Sequence, residues 1–182
     1  MGRDKGAIEV GGIPCATRVA SALATVCETV WLVGGQPPAS TPGRPAPDPE
    51  GPRCALRGLV AALGASQAEY LLVCATDQPF VSPAFLAALA RAAPADAWVP
   101  RDAAGVHPLC ARYRRAALLE PARRRLAGDA LSVRGLLEQV ETRWLEGDAL
   151  GEADPEGGSL VNVNTPAELL RAERRLAALR GR

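Results

Sequence analysis

The sequence predicts an α/β fold, a mostly parallel sheet with helices on both faces. Three observations carry this expectation. Strand-like runs alternate with helix-like segments along most of the 182 residues. The run YLLVC at Tyr70–Cys74 is continuously apolar, as a parallel strand covered on both faces must be, although periodicity alone leaves a buried helix open. Near the end, Thr165, Pro166 and Glu168 occupy the N-cap, N1 and N3 positions of a capping box, so a helix closes the chain.

Taken in order, 14–27 carries Val19, Leu23 and Val26 at helical spacing, and 30–33 follows as a short strand. Residues 36–52 are dense in Pro and Gly and predict an extended loop of the functional or mobile kind. A helix is expected over 56–63, the strand from Tyr70, and a helix over 83–92 with Ser82 as N-cap and Pro83 at N1. Short strands at 98–99 and 109–113 precede helices at 116–126 and 131–140, which the Gly128–Asp129 turn separates. Strands at 142–145 and 160–163 and a helix at 166–179 complete the reading. There is no internal repeat, and the chain reads as one domain spanning 1–182.

Pro79 cannot donate to a strand ladder, so the Tyr70 strand is expected to stop at about Asp77. That puts one carboxylate at the carboxyl end of a buried strand, where open α/β sheets bind ligands. Its competing use, capping the next helix, is already served by Ser82. Asp77 therefore reads as a functional residue.

Composition narrows the partners. A net charge of +1 with both signs interspersed gives no electrostatic case for nucleic acid or a membrane surface, and no apolar run is long enough for a span. Arg123, Arg124 and Arg125 read as a solvated helix face. The five cysteines are scattered with no CxxC pair, as free thiols in a reducing, cytoplasmic compartment are, and His107 as the only histidine argues against zinc.

The motifs MGRDKG at 1–6, GGIP at 11–14, GPRCALRGL at 51–59, DQPF at 77–80, HPLCARYRR at 107–115 and NVNTPAEL at 162–169 occur in that order. Together they resemble the molybdenum cofactor guanylyltransferases, the MobA-like nucleotidyltransferases of three-layer Rossmann-like fold. Members of that family begin with a strand and an LAGGxSxR loop ahead of MGxDK, whereas this sequence opens at that methionine. The resemblance thus implies a sheet lacking its first, central strand, with two strand edges exposed. The expectation is a true start upstream of Met1, with a truncated protein as the second explanation.

The resemblance implies transfer of GMP from GTP to the phosphate of molybdenum-molybdopterin with release of pyrophosphate. Lys5 matches the lysine beside the nucleotide phosphates, and Asp77 the aspartate that holds Mg²⁺. Asp48 matches an aspartate that helps bind GTP; an ordinary Asp–Pro turn is the equal alternative. Gly51 and Pro52 match the start of a GPLAG-type segment, with Arg53 and Cys54 in place of the usual small apolar pair. Asn162 and Asn164, expected on one face of the last strand, are implied in binding the pterin, as is His107 on the molybdopterin side. Transient contacts with other cofactor-assembly proteins are implied by the family alone. Gln78 in DQP also occurs in relatives that transfer CMP to the same pterin, so a cytidylyltransferase stays open, as does a truncated, non-catalytic pterin-binding homologue.

Overall fold

A computed structural model describes residues 8–47 and 49–181. A short hairpin of β1 (Glu9–Val10) and β2 (Ile13–Pro14) feeds α1 (Cys15–Ala24). β3 (Trp31–Leu32) pairs in parallel with β4 (Arg44–Pro45) inside the Pro-rich loop, and α2 (Ala55–Ala65) follows. Next come β5 (Tyr70–Cys74), α3 (Pro83–Arg91), β6 (Ala97–Asp102), β7 (Gly105–Val106) and β8 (Cys110–Arg114). α4 (Arg115–Ala127), α5 (Val133–Leu137), β9 (Thr142–Leu145), α6 (Gly147–Ala153) and α7 (Pro166–Arg180) complete the described chain.

The larger sheet runs β5-β8-β6-β7, with β9 added alongside β6. Alternation along its strands divides the core into two layers. Leu71 and Val73 of β5, Ala97 and Val99 of β6, and Ala111 and Tyr113 of β8 pack against α2, α4 and α5. Leu72, Cys74, Trp98 and Cys110 face α1 and α3 on the other side. A third cluster joins Val10, Cys15, Val163 and Ala172, which holds α7 against the hairpin.

The three-layer α/β class stands, but the large sheet is not mostly parallel. β8 pairs antiparallel with both β5 and β6, β7 pairs antiparallel with β6, and only β9 joins β6 in parallel. Connection length decides this. Residues 103–109 alone link β6 to β8, too few for the crossover that parallel neighbours need, whereas two helices intervene between β8 and β9. Between β3 and β5 lies an apolar cleft of about 920 Å³, lined by Val19, Leu23, Trp31, Leu59 and Leu72 among others. Among the described residues β5 is the end strand of the larger sheet, and β3 pairs with β4 alone.

Two element expectations need correction. Residues 160–163 form no strand: Val161 N–H closes a turn on the Gly158 carbonyl, and Val163 makes one ladder-like bond, to the Asp77 carbonyl at 2.8 Å. The helix expected over 131–140 shrinks to α5: Ser132 sets its start by accepting from Gly135 N–H at 3.2 Å, and it ends at Leu137 with Glu138 as C-cap. α6 was not anticipated: GDALGEA is short with two glycines, and only Leu150 and Ala153 pack, half-buried, against the core.

Candidate functional site

β5 ends at Cys74, three residues earlier than expected. Ala75 N–H makes one more cross-strand bond, to the Leu109 carbonyl at 2.6 Å; then Gln78 N–H turns back onto the Ala75 carbonyl at 3.3 Å. Asp77 sits half-buried in that turn, just past the carboxyl end of the strand. It does not cap α3. Ser82 does so, accepting from Phe85 N–H at 3.1 Å, as the sequence anticipated.

A second chain segment is delivered to Asp77 by a buried polar tie. Ser159, fully buried, donates its hydroxyl to Asp154 Oδ1 at 2.9 Å and its N–H to Oδ2 at 2.8 Å. Ser159 Oγ in turn accepts from Ser82 N–H at 3.2 Å, so residues 154–159 are fastened to the start of α3. Four residues on, Val163 N–H meets the Asp77 carbonyl. Val163 itself is buried in the cluster with Val10 and Cys15.

These ties create a pocket of about 410 Å³ whose walls include Ala75, Asp77, Gln78, His107, Ser132, Arg134 and Asn162. Three residues singled out by sequence, Asp77, His107 and Asn162, thus share one cavity. Asn164 does not line it: its backbone N–H donates to Glu168 Oε2 at 2.7 Å, extending the capping box of α7. The two asparagines were expected to share a sheet face; without a strand at 160–163 that alternation is lost. Lys5 and Asp48 lie outside the described residues.

The pocket is electrically two-sided. Asp77 supplies a carboxylate whose oxygens receive no hydrogen bond among the described residues, and its charge is felt at the start of α1. There the Cys15 thiol is pushed up to about 11, chiefly by burial, with Arg18 pulling it down and Asp77 pushing it further up. Arg134, on α5, brings a guanidinium to the same cavity. Sequence reasoning missed Arg134, since an arginine on a short helix looks like any solvated one and its spacing carries no signal. It also missed the chemistry of Gln78, which is 3% exposed and whose Oε1 has no hydrogen-bond partner among the described residues. An unpaired buried acceptor costs about 1–3 kcal/mol unless something donates to it.

The three-layer α/β arrangement, with Asp77 just past a strand end in a cavity that Arg134 also lines, is of the nucleotidyltransferase-like kind. The chain belongs to the MobA-like NTP transferase domain family, whose sequence model matches residues 1–143. A "Molybdenum cofactor guanylyltransferase" from Desulfosudis oleivorans is 30% identical over 128 residues, covering 69% of this chain and 63% of the relative. A "Probable molybdenum cofactor guanylyltransferase" from Chloroflexus aggregans is 33% identical over 180 residues, covering 93% and 85%, respectively. Among solved structures, molybdopterin-guanine dinucleotide biosynthesis protein A from Archaeoglobus fulgidus superposes with a TM-score of 0.71 at 22% identity, covering 97% of this chain and 92% of that one. The 2-C-methyl-D-erythritol 4-phosphate cytidylyltransferase from Thermus thermophilus superposes at 0.70 with 19% identity, covering 95% and 94%, so the fold itself does not choose the base.

Proposed function

We propose that this chain transfers GMP from GTP to the terminal phosphate of molybdenum-molybdopterin, giving the guanine dinucleotide cofactor and pyrophosphate. The observation that carries the reading is the single cavity holding Asp77, His107, Arg134 and Asn162 in a member of the MobA-like family. Relatives covered over 85% and 86% of their length bear the guanylyltransferase name.

A terminal phosphate oxygen of the pterin bonds to the α-phosphorus of GTP, and the bond from that phosphorus to the departing pyrophosphate breaks. Such chemistry needs in-line positioning and charge neutralisation rather than covalent help from the protein. The residues present suit a divalent cation held largely by substrate. Asp77 offers carboxylate oxygens that receive no hydrogen bond among the described residues, where no cluster of three potential ligands exists either. One carboxylate plus phosphate oxygens is the way Mg²⁺ is ordinarily bound at nucleotide sites, and we assign that ion. When bound, it supplies charge neutralisation at the transferring phosphate.

Asp77 therefore orients the nucleotide phosphates, while Lys5 offsets charge on the leaving pyrophosphate and Asp48 helps hold GTP. Arg134 sits across the cavity, where a guanidinium fits a phosphate bidentately. His107 and Asn162 face the pterin side, with Asn164 behind them at the base of α7. We read 1–182 as one domain. Five free cysteines fit a reducing, cytoplasmic setting. No described helix is long and apolar enough to cross a membrane. Contacts with other cofactor-assembly proteins would be transient.

Gln78 beside Asp77 favours a second reading, CMP transfer to the same pterin. Pyrophosphate release measured with molybdopterin, Mg²⁺ and either GTP or CTP separates the two. Preferential turnover of GTP is expected. A preference for CTP converts the answer to a cytidylyltransferase, and pterin binding with no turnover of either nucleotide makes the chain a non-catalytic binding protein.

A further inference from the structure

Asp102 closes β6 and is the hub of the turn that leads to His107. Its Oδ1 accepts from Ala104 N–H at 2.9 Å and Gly105 N–H at 3.2 Å, and lies 2.9 Å from Nε2 of His107. Burial pushes this carboxyl up, but the bond from His107 and the two backbone donors more than offset that, so it stays a carboxylate. The imidazole is also held through its own backbone: His107 N–H donates to the Pro100 carbonyl at 2.9 Å, and its carbonyl accepts from Cys110 N–H at 3.1 Å. Its side chain is 11% exposed, and that exposure is to the cavity of Asp77.

A carboxylate can only accept, so Nε2 carries the hydrogen, and in the neutral ring Nδ1 then keeps its lone pair. The charged groups around the ring are Asp102 from its own turn, Asp77 from the turn after β5, and Arg134 from α5. The guanidinium of Arg134 lies against this same turn, where a Cβ at Gly105 would stand 3.4 Å from Nη2. Gly105, at φ +125, needs the backbone freedom that only glycine has, and the turn it forms lies in ordinary contact range of the Arg134 guanidinium.

We propose that Asp102 is a positioning residue that fixes His107 as its Nε2–H tautomer, so that Nδ1 accepts a hydrogen bond from an N–H or O–H donor of the bound substrate. The proposal deepens the transferase reading and rests on it. Two substrates carry suitable donors: the pterin has ring amide and amine groups, and the nucleotide has ribose hydroxyls and a base amine. A turn that needed only closing would already be served by Ala104 and Gly105. The added tie to the ring acts on the imidazole.

Because His107 is the only histidine, ring-nitrogen NMR of histidine-labelled protein reads one residue without assignment. Wild type should show a pyrrole-type Nε2 and a pyridine-type Nδ1. In Asp102→Ala the tautomer should become mixed, and Asp102→Asn, which keeps an acceptor oxygen, should restore most of the wild-type pattern. In turnover, Asp102→Ala should raise KM about tenfold for whichever substrate donates to Nδ1, with kcat nearly unchanged, since one lost hydrogen bond is worth about 1.4 kcal/mol. GTP and molybdopterin titrated separately identify that substrate. An unchanged tautomer in Asp102→Ala overturns the proposal, and so does a mixed tautomer with both KM values unmoved. Either failure leaves Asp77-dependent turnover intact, so it is distinguishable from failure of the transferase reading itself.

Discussion

The backbone N–H of Val163 donates to the carbonyl oxygen of Asp77 at 2.8 Å, and this bond joins the two halves of the cavity. It fixes the turn after β5 to the segment carrying Asn162, which belongs to no strand. The ordering force behind it is remote: the Asp154–Ser159 pair, anchored to Ser82, sets where residues 159–163 run.

Breaking that anchor should therefore loosen the site as well as the fold. Asp154→Ala leaves the buried Ser159 N–H and hydroxyl without their acceptor, and bonds to a charged partner are worth about 1.5–3 kcal/mol each. We expect a loss of roughly 3 kcal/mol in denaturant unfolding, together with weaker pterin use. Stability within error of wild type would mean that the loop is held elsewhere.

Asn162 and Asn164 should not behave alike. Asn162→Ala should raise KM for molybdopterin about tenfold, the loss of one hydrogen bond, with GTP binding unchanged. Asn164→Ala should do less, because its backbone, not a cavity-lining side chain, makes the observed bond to Glu168. Steady-state kinetics on the two variants decide the order, and equal effects would return both side chains to the pterin.

The contrast between these asparagines illustrates what the sequence could and could not convey. The caps at Ser82 and Thr165, with the starts of the helices they open, and the β5 core run were legible because each is set by local chemistry. Sheet polarity was misread, since it hinges on how few residues join β6 to β8. The 160–163 segment looked like a strand because Leu160, Val161 and Val163 are apolar, yet Val161 turns back onto Gly158 and only Val163 N–H makes a ladder-like bond, to Asp77. Arg134 and the buried, unpartnered acceptor of Gln78 were invisible, being brought to Asp77 by tertiary packing alone. Lys5 and Asp48 fall outside the described residues and rest on the resemblance.

Gln78→Leu offers a test that separates packing from function. Its Oε1 is buried with no partner among the described residues, so an apolar side chain of similar size should leave the melting temperature unchanged or raise it. If substrate donates to that acceptor, nucleotide or pterin affinity should fall several-fold in the same variant. A marked loss of stability would show that the amide has a structural partner.

The thiol of Cys15 should make the native state sensitive to alkali. Its pKa is raised from 9.0 to about 11, so the folded protein holds this proton where the unfolded chain has released it. The associated stability is fully present below pH 9.0 and declines as pH rises towards about 11, by up to roughly 2–3 kcal/mol at 1.36 kcal/mol per pKa unit. Cys15→Ala should flatten the slope of unfolding free energy against pH in that window. An identical slope would remove Cys15 as its source.

The central claim is that Asp77 holds the metal–nucleotide complex at which the transfer occurs. The direct measurement is the rate of pyrophosphate release from GTP, with molybdopterin and Mg²⁺ saturating, for wild type and Asp77→Asn. A neutral amide of the same shape cannot compensate metal charge, so turnover should fall by at least ~10²-fold, as when one preorganised electrostatic contact is lost. The melting temperature should not change, because no hydrogen bond to the carboxylate is made among the described residues. Undiminished turnover in Asp77→Asn would contradict the account.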